Sequence, residues 1–330
     1  MTRIGVVAIG RNEGERLVRC LESARGADRT LVYVDSGSSD ASVANARARG
    51  AEVVELERGL PFTAARARNA GAERLFEIEP TLEWVQFVDG DCEIVPEWWA
   101  AISAQVPCDR AIAVLCGRRR ERHPNASIYN KLCDLEWDTP VGAAAACGGD
   151  ALIRAAAFRS VGGFNPALIA GEEPELCFRL RAAGHRIERI ASEMTLHDAA
   201  LSQFSQWWRR ALRAGHAYAE NHALHGSSPE RFRARELRSI LAWGAGLPLF
   251  AIGLFGIGRG APLAALALYA ALFLRVCSAR RRGGTRLRDA AWYALFVVIG
   301  KWPQAAGAAW YYWNRAFGRR AKLIEYKRST

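Results

Sequence analysis

The sequence predicts an α/β protein: a doubly wound, mixed but mostly parallel sheet, followed by C-terminal transmembrane or interfacial helices. Three observations predict it. From Arg3 to Cys116, short Val- and Ile-rich runs alternate with longer amphipathic ones, the pattern of strands joined by helices that cover both faces of a sheet. From Ser239 the solvent changes, because Ser239–Gly258 is a 20-residue stretch without a charge, close to the ~20 apolar residues that span a bilayer core. The charge also divides. From Arg231 onward there are 18 Lys and Arg against three acids, or +15, and before it 27 against 31, or −4.

Taken in order, "RIGVVAI" (Arg3–Ile9), "TLVYVD" (Thr30–Asp35), "AEVVEL" (Ala51–Leu56), "WVQFVD" (Trp84–Asp89) and "AIAVLC" (Ala111–Cys116) read as strands. Between them Glu13–Arg25, Ser39–Arg49, Thr63–Glu77 and Pro96–Val106 read as helices. Ser38 or Ser39 can cap the second, and Pro96 suits the first turn of the fourth. Beyond Cys116 a small-residue loop (Val141–Asp150) precedes a helix near Ala151–Ser160. A second helix, Glu173–Ala183, leads to a strand at His185–Ala191, and Ser202–Ala223 is a long amphipathic helix.

The expected first domain spans residues 1–230 and ends in that interfacial helix; residues 231–330 form a membrane region. There, Ser239–Gly258 and Ala261–Ala279 pair as a helical hairpin with its outer tip at Arg259-Gly260. The basic stretches "RFRARELR", "SARRRGGTRLR" and the C-terminal tail belong on the cytoplasmic side of an inner membrane. Ala290–Trp313 carries Lys301 and Pro303 near its middle and is expected to be broken, re-entrant or interfacial.

Composition narrows the function. With 330 residues, 50% hydrophobic and 24% charged, the chain can bury a sizeable core and is not a disordered sequence. The net charge of +11 is an average over two unlike halves. The positive charge flanks apolar segments and does not cover the folded domain, so it points to a membrane surface and away from nucleic acid. Eight cysteines without a C-x-x-C pair read as thiols of a reducing compartment. "MTRIGVVAIGRNEG" is too short an apolar run for a signal peptide, which leaves the first domain in the cytoplasm. His216, His222 and His225 lack metal-site spacing and are expected at the surface.

The acidic residues fall at strand ends, where ligands of doubly wound sheets bind. Asp35 ends the second strand, Glu13 follows the first, and Asp89-Gly90-Asp91 ends the fourth. Side chains at i and i+2 project to one side, so two carboxylates there form either a solvated turn or a cation site. A dinucleotide fold would need G-x-G-x-x-G after the first strand, and Gly10-Arg-Asn-Glu-Gly14 does not supply it. No G-x-x-x-x-G-K-[ST] occurs either. A bound nucleotide diphosphate would then need a cation in place of a glycine loop.

In this order, "GRNEGERLVRCLESA", "VDSGSSDAS", "ARARNAGA" (Ala65–Ala72), "FVDGDCEIVPEWW", "GGDALIRAAAFRSVGGFN" and "GEEPELCFRLRAAGHRI" resemble the motifs of the family 2 glycosyltransferases of the GT-A fold. The resemblance covers about residues 3–215. It implies inverting transfer of a sugar from a nucleotide sugar, a UDP-sugar in the first instance, with Mg²⁺ or Mn²⁺ neutralising the leaving diphosphate. Asp91 would be the principal metal ligand, with Asp89 on the metal or the ribose, and His197 in "MTLHDAA" completing the site. Asp35 would accept the imide N–H of uracil, Glu13 would lie near the ribose, Arg68 would face the diphosphate, and Asp150 would hold a sugar hydroxyl. Glu173 would be the general base that takes the acceptor's proton, with Glu172 the alternative, since a Glu-Glu pair replaces the family's usual Glu-Asp. Carboxylates also suit a helix N-terminus, and both roles are compatible. "QWWRR", with Gln206, Arg209 and Arg210, is distantly similar to a Q-x-x-R-W motif of membrane-bound relatives, in altered order.

The function expected is therefore transfer of a sugar to a lipid-linked or saccharide acceptor at a membrane, in cell-envelope polysaccharide or glycolipid synthesis. A nucleotidyltransferase would require the phosphate-cradling loop that is absent. A catalytically silent sugar-nucleotide-binding scaffold would have no use for clustered, costly carboxylates.

Overall fold

A computed structural model of the chain describes residues 2–105, 109–253 and 260–319. It separates into two compact units, one of residues up to 124 with 136–200, the other of residues 125–135 with 201 onward.

In chain order the first part contains β1 (Ile4–Gly10), α1 (Glu15–Ala24), β2 (Leu31–Asp35), α2 (Ser42–Ala48), β3 (Glu52–Glu55), α3 (Ala64–Ile78), β4 (Trp84–Asp89), β5 (Cys92–Ile94), α4 (Pro96–Gln105), β6 (Ile112–Glu121), α5 (Ile128–Trp137), β7 (Gly142–Ala143), β8 (Ala151–Arg154), α6 (Ala155–Ser160), α7 (Glu172–Ala182) and β9 (Arg186–His197). Among the described residues the sheet has nine strands in the order β3-β2-β1-β4-β8-β6-β9-β5, with β7 beside β9. β3, β2, β1 and β4 run parallel; β8 is antiparallel to both of its neighbours, and β6 and β9 run parallel to each other. The expected mixed, mostly parallel sheet is what forms.

The central strands are buried on both faces, which is why they read as continuous apolar runs. Tyr33, Trp84, Phe87 and Trp98 have no exposed surface. The one polar group in β4's interior, Gln86, is satisfied by the Trp98 indole N–H at 2.8 Å. The register sets Gly10 opposite Asp35 and Ile9 opposite Asp89, so β1 ends between two aspartates. β1 is also where the strand order reverses, the place where such sheets bind ligands.

Three local expectations are corrected. Ala151–Arg154 is not helical: it fills the slot between β4 and β6, and pairing with two strands overrides the helix propensity of alanine. The helix is confined to α6. Neither Ser38 nor Ser39 caps α2. Asp40 accepts the Ser42 N–H at 3.0 Å, and both serines bond to Asn12 instead. β6 and β9 each run further than the apolar pattern suggests, to Glu121 and His197.

The second unit contains most of α5, with α8 (Phe204–His225), α9 (Ala234–Leu241), a π-helical turn (Ala242–Gly246), α10 (Leu247–Gly253), α11 (Gly260–Arg282) and α12 (Leu287–Ala316). α8, placed by sequence at the end of a 1–230 domain, packs in this unit. The expected span Ser239–Gly258 is divided by the π turn, and its residues 254–259, with Arg259 of the expected tip, lie outside the described residues, as does the tail from 320. Ala290–Trp313 is not broken: α12 is one helix with Pro303 inside it. Pro303 is buried, and packing around it offsets the one backbone bond that proline removes. His216 is buried rather than exposed, edge-on to Tyr311 at 5.3 Å. Among the described residues, Pro262–Arg282 is the one helix long and apolar enough to cross a membrane, with mean hydropathy 1.7.

α8 and α12 meet through glycines. A Cβ on Gly307 would lie 2.0 Å from the Leu212 carbonyl oxygen, and one on Gly215 the same distance from that of Gln304. Neither neighbour can yield, because both are backbone atoms. Gly307→Ala should therefore destabilise the helical unit by about 1–3 kcal/mol, seen as a lower unfolding midpoint of the purified chain. An unchanged midpoint would mean that the helices do not pack this closely.

Candidate active site

The site is built at the carboxyl ends of β1, β2 and β4, on loops that the sheet holds in place. After β1 and β2 the loops are laced together. Asn12, in the left-handed region at φ 54°, donates its N–H to Ser38 Oγ at 2.9 Å and accepts the Ser39 N–H at 2.7 Å. Asp35 is buried, and its carboxylate accepts from the Tyr33 hydroxyl and from the N–H groups of Gly37 and Ser38 at 2.8–2.9 Å. It fixes the turn that follows β2. Glu13 pairs with Arg16 at 2.9 Å.

After β4, a cluster of charges ties the strand end to four other segments. Arg68, on α3, is 2% exposed and reaches Asp89 at 2.7 Å and Glu172, at the start of α7, at 2.6 Å. Arg119, on β6, pairs with Asp150 at 2.8 Å and lies 3.6 Å from the other Asp89 oxygen. Asp150, with no exposed surface, accepts the Asp89 N–H at 3.0 Å and the Thr195 hydroxyl at 2.7 Å. Burial alone would raise the Asp89 carboxyl's pKa, but the two arginines reverse this and hold it well below the usual carboxylate range. Burial likewise opposes the charge on Arg68, and Asp89 and Glu172 restore it. Gly149 sits against the cluster. A Cβ there would come within 3.0 Å of Asp89, Arg119 and Arg68, so only glycine lets the loop close over these groups.

Asp91 and His197 form a second group. Asp91, just after β4, lies 3.4 Å from Nε2 of His197, at the end of β9, and Cys92 is within ligand range of both. The other ring nitrogen, Nδ1, is buried without a hydrogen-bond partner and faces Glu121 at 3.6 Å. Glu121 is itself fixed by the N–H groups of His123 and Ala199 at 3.1 Å. The ring packs edge-on against Trp137, with centroids 4.8 Å apart. A carboxylate and an imidazole at this separation can take neighbouring positions on an octahedral cation, whose ligands at about 2.1 Å stand about 3 Å apart. The carboxylate behind Nδ1 is the outer partner that metal-bound histidines commonly have. The donor set fits a divalent cation.

Glu172 and Glu173 open α7. Glu172 is tied up with Arg68, whereas Glu173 is partly exposed and accepts the Cys147 N–H and the Cys177 thiol, the latter at 3.1 Å. The Cys147 thiol is pushed far above the ordinary range by its contact with Cys177 and by burial, so it behaves as an inert packing group. The seven described cysteines are buried and outside any disulfide; Cys108 lies outside the described residues.

The sequence-predicted residues thus sort into three places. Asp91 and His197 come together, but Asp89 turns to the arginines and does not join them. Arg68 is committed to Asp89 and Glu172 and presents no free guanidinium to a diphosphate. Asp150 is enclosed by protein and cannot hold a sugar hydroxyl in this arrangement; it orders the strand ends. Sequence reasoning missed Arg119, Glu121, Thr195 and Trp137. The period of two could have found the first pair, because a β6 carried past Cys116 sets residues 119 and 121 on one face.

Comparison with known proteins agrees with this architecture. The family model for glycosyl transferase family 2 matches residues 6–154. The matched segment runs from β1 to the end of β8. The chain is 26% identical over 307 residues to the pre-mycofactocin glycosyltransferase of Mycobacterium tuberculosis, covering 87% of this chain and 60% of that protein. Over 140 residues it is 29% identical to a TPR repeat-containing protein of Synechococcus elongatus, covering 42% of this chain and 33% of that one. The chain therefore spans between a third and three-fifths of the curated relatives it matches. Among solved structures, a mannosyltransferase from Pyrobaculum calidifontis in complex with GDP-Man and Mn²⁺ shares the fold, with a TM-score of 0.59 at 16% identity, covering 95% of this chain and 88% of that one.

The buried cluster makes a stability prediction. Arg119→Met leaves Asp150 enclosed without its cation, which should cost about 3–5 kcal/mol. The double variant Arg119→Met/Asp150→Asn should recover part of that loss in thermal unfolding. Equal stability of the single variant and the native chain would show that the pair is not buried as described.

Proposed function

We propose that the protein is an inverting, metal-dependent glycosyltransferase. It moves a sugar from a nucleotide sugar to a hydroxyl of a lipid-linked or saccharide acceptor presented at a membrane. The observation that carries the reading is the pairing of Asp91, inside the segment that matches the family 2 model, with His197 at the end of β9, and with Glu121 behind the imidazole. Mg²⁺ or Mn²⁺ there would supply positive charge for the departing diphosphate. Asp91 and His197 would hold it, and Glu121 would orient the ring.

The donor's base would lie against the laced loops at Asn12, Asp35 and Ser38. A carboxylate acceptor such as Asp35 suits the N–H of uracil and equally the N–H groups of guanine. A UDP-sugar is the first candidate, and a GDP-sugar is the comparison to run. Glu13 belongs to the same loop pair, at the ribose side. Glu173 is the proposed general base: among the described residues no cation lies within 4.0 Å of it, so its lone pairs are not spent on an ion pair as those of Glu172 are. Arg68 and Asp150 act at one remove, by fixing Glu172, Asp89 and the loop around Gly149.

For the membrane, support comes from α10 and α11, which expose Leu249, Ile252, Leu263 and Leu266 at 65–71%, and from the +15 charge beyond residue 230. An inner membrane with the sheet domain on its cytoplasmic side fits that distribution.

Two experiments test the assignment. Asp91→Asn should lower turnover by about 10³-fold, on the order of 4 kcal/mol of barrier, and chelation of the native enzyme should do the same until Mn²⁺ or Mg²⁺ is returned. Undiminished transfer in chelator would sink the metal role. Glu173→Gln should abolish transfer with little change in nucleotide-sugar affinity, read by calorimetry beside single-turnover rates. Should Glu172→Gln stop transfer while Glu173→Gln does not, the base is the neighbouring residue.

A further inference from the structure

The helical unit contains a polar cleft that the sugar-transfer reading does not use. It encloses about 330 Å³ and is lined by Tyr218 of α8, Arg235, Glu236, Ser239 and Ile240 of α9, and Lys301 and Gln304 of α12. Such a volume lies at the lower end of the ~300–1,000 Å³ of small-molecule sites.

Lys301 is the anomaly. It lies midway along a 30-residue, largely apolar helix and is partly buried, and a charge taken partly out of water calls for a partner. Its ammonium touches Ser239 Oγ at 3.1 Å, and among the described residues no carboxylate lies within 4.0 Å. Glu236 shares the cleft, but it pairs with Arg233 at 3.0 Å. Arg235 is exposed at the same cleft and likewise has no carboxylate within 4.0 Å among the described residues. The site therefore offers two cations without a carboxylate partner, beside the amide of Gln304 and the hydroxyl of Ser239.

Close helix contact fixes the backbone of two of these residues. A Cβ on Gly244 would lie 2.0 Å from the Lys301 carbonyl oxygen, and one on Gly215 would lie 2.0 Å from that of Gln304. The turn of α12 that carries both donors is thus gripped on two sides. A fixed backbone lessens the entropy lost when these side chains bind, and two cations beside neutral donors match the oxygens of a phosphate group.

We propose that this cleft binds a phosphate group, and that its occupant is the phosphate headgroup of a lipid. The leucines that α10 and α11 expose on the same unit suit the acyl or isoprenoid chain of such a molecule, whereas free phosphate has no use for them. The inference rests on the proposed membrane-presented acceptor only for the role of that lipid; the anion site stands on its own residues.

The test uses the full chain in non-ionic detergent at high salt, which screens general attraction to basic stretches. Calorimetric titration with mixed micelles of phosphatidic acid should show saturable binding, and phosphatidylcholine micelles should show none. Lys301→Met should weaken binding by about tenfold or more, the value of one or two charge-assisted hydrogen bonds. Lys301→Arg should retain it, and Arg282→Ala, in the basic stretch that ends α11, should leave it unchanged. Should Lys301→Met fail to fold, as judged by its unfolding midpoint, exposed Arg235→Ala and Gln304→Ala carry the same expectation. Native-like binding by folded variants would overturn the site. Inorganic phosphate that saturates it while phosphatidic acid adds nothing would overturn the lipid and leave free phosphate as the occupant. Because no sugar transfer is measured, these outcomes are independent of whether the enzyme assignment holds.

Discussion

The buried pairing of Arg68 and Arg119 with Asp89, Asp150 and Glu172 is the constraint on which the sheet domain's functional end depends. Each partner comes from a different segment: α3, β6, β4, the loop before β8, and α7. None of these charges would be tolerable alone, since an unpaired ion in a dry interior costs several kcal/mol. Satisfying them together fixes where β4 ends, and therefore where Asp91 projects. It also fixes the start of α7, and with it Glu173. The ligand and base candidates need not be held by contacts of their own, because the arginines hold the backbone that carries them.

The charge count extends the argument. Two guanidinium groups face three carboxylates, and Asp91 and Glu173 add two more nearby, so the functional end is net negative. A diphosphate would be repelled from such a surface unless a divalent cation came with it. The same excess that makes the site poor for a bare anion makes it suited to a metal–nucleotide complex. It also explains how a nucleotide could be bound without a glycine-rich phosphate loop: metal charge can take the place of convergent N–H dipoles.

How much of this was legible in the sequence follows from which interactions are local. The parallel strands were legible because burial on both faces writes itself as a continuous apolar run, and Asp35, Asp89 and Asp91 were legible because they interrupt such runs. Arg119 was not: within "GRRRERH" nothing marks one arginine as buried, and its partner Asp150 is 31 positions away. The ion-pair partners of Asp89 and Asp150 were hidden for a related reason, since a motif shows that a carboxylate is needed without showing which neighbour it meets. Ala151–Arg154 was misread because propensity is local and strand pairing is not. Pro303 was misread because a proline marks a broken helix only where tertiary packing does not close around it.

The helical unit obeys a different balance. In the proposed membrane setting the hydrophobic effect would not drive helices together, and association would come from close contact and from polar groups that have no better partner. Both are present. Gly215, Gly244 and Gly307 bring backbones into contact at points where one methyl group would not fit, and the Lys301–Ser239 bond joins α12 to α9. The leucines that a water-soluble unit would bury are instead turned outward. The charge divides in the same way, with −4 before residue 231 and +15 from there on, a division that the proposed membrane setting of the helices would explain. In the first, charge is buried and cancelled to place a few carboxylates. In the second, charge is left uncancelled, at the surface and in one cleft.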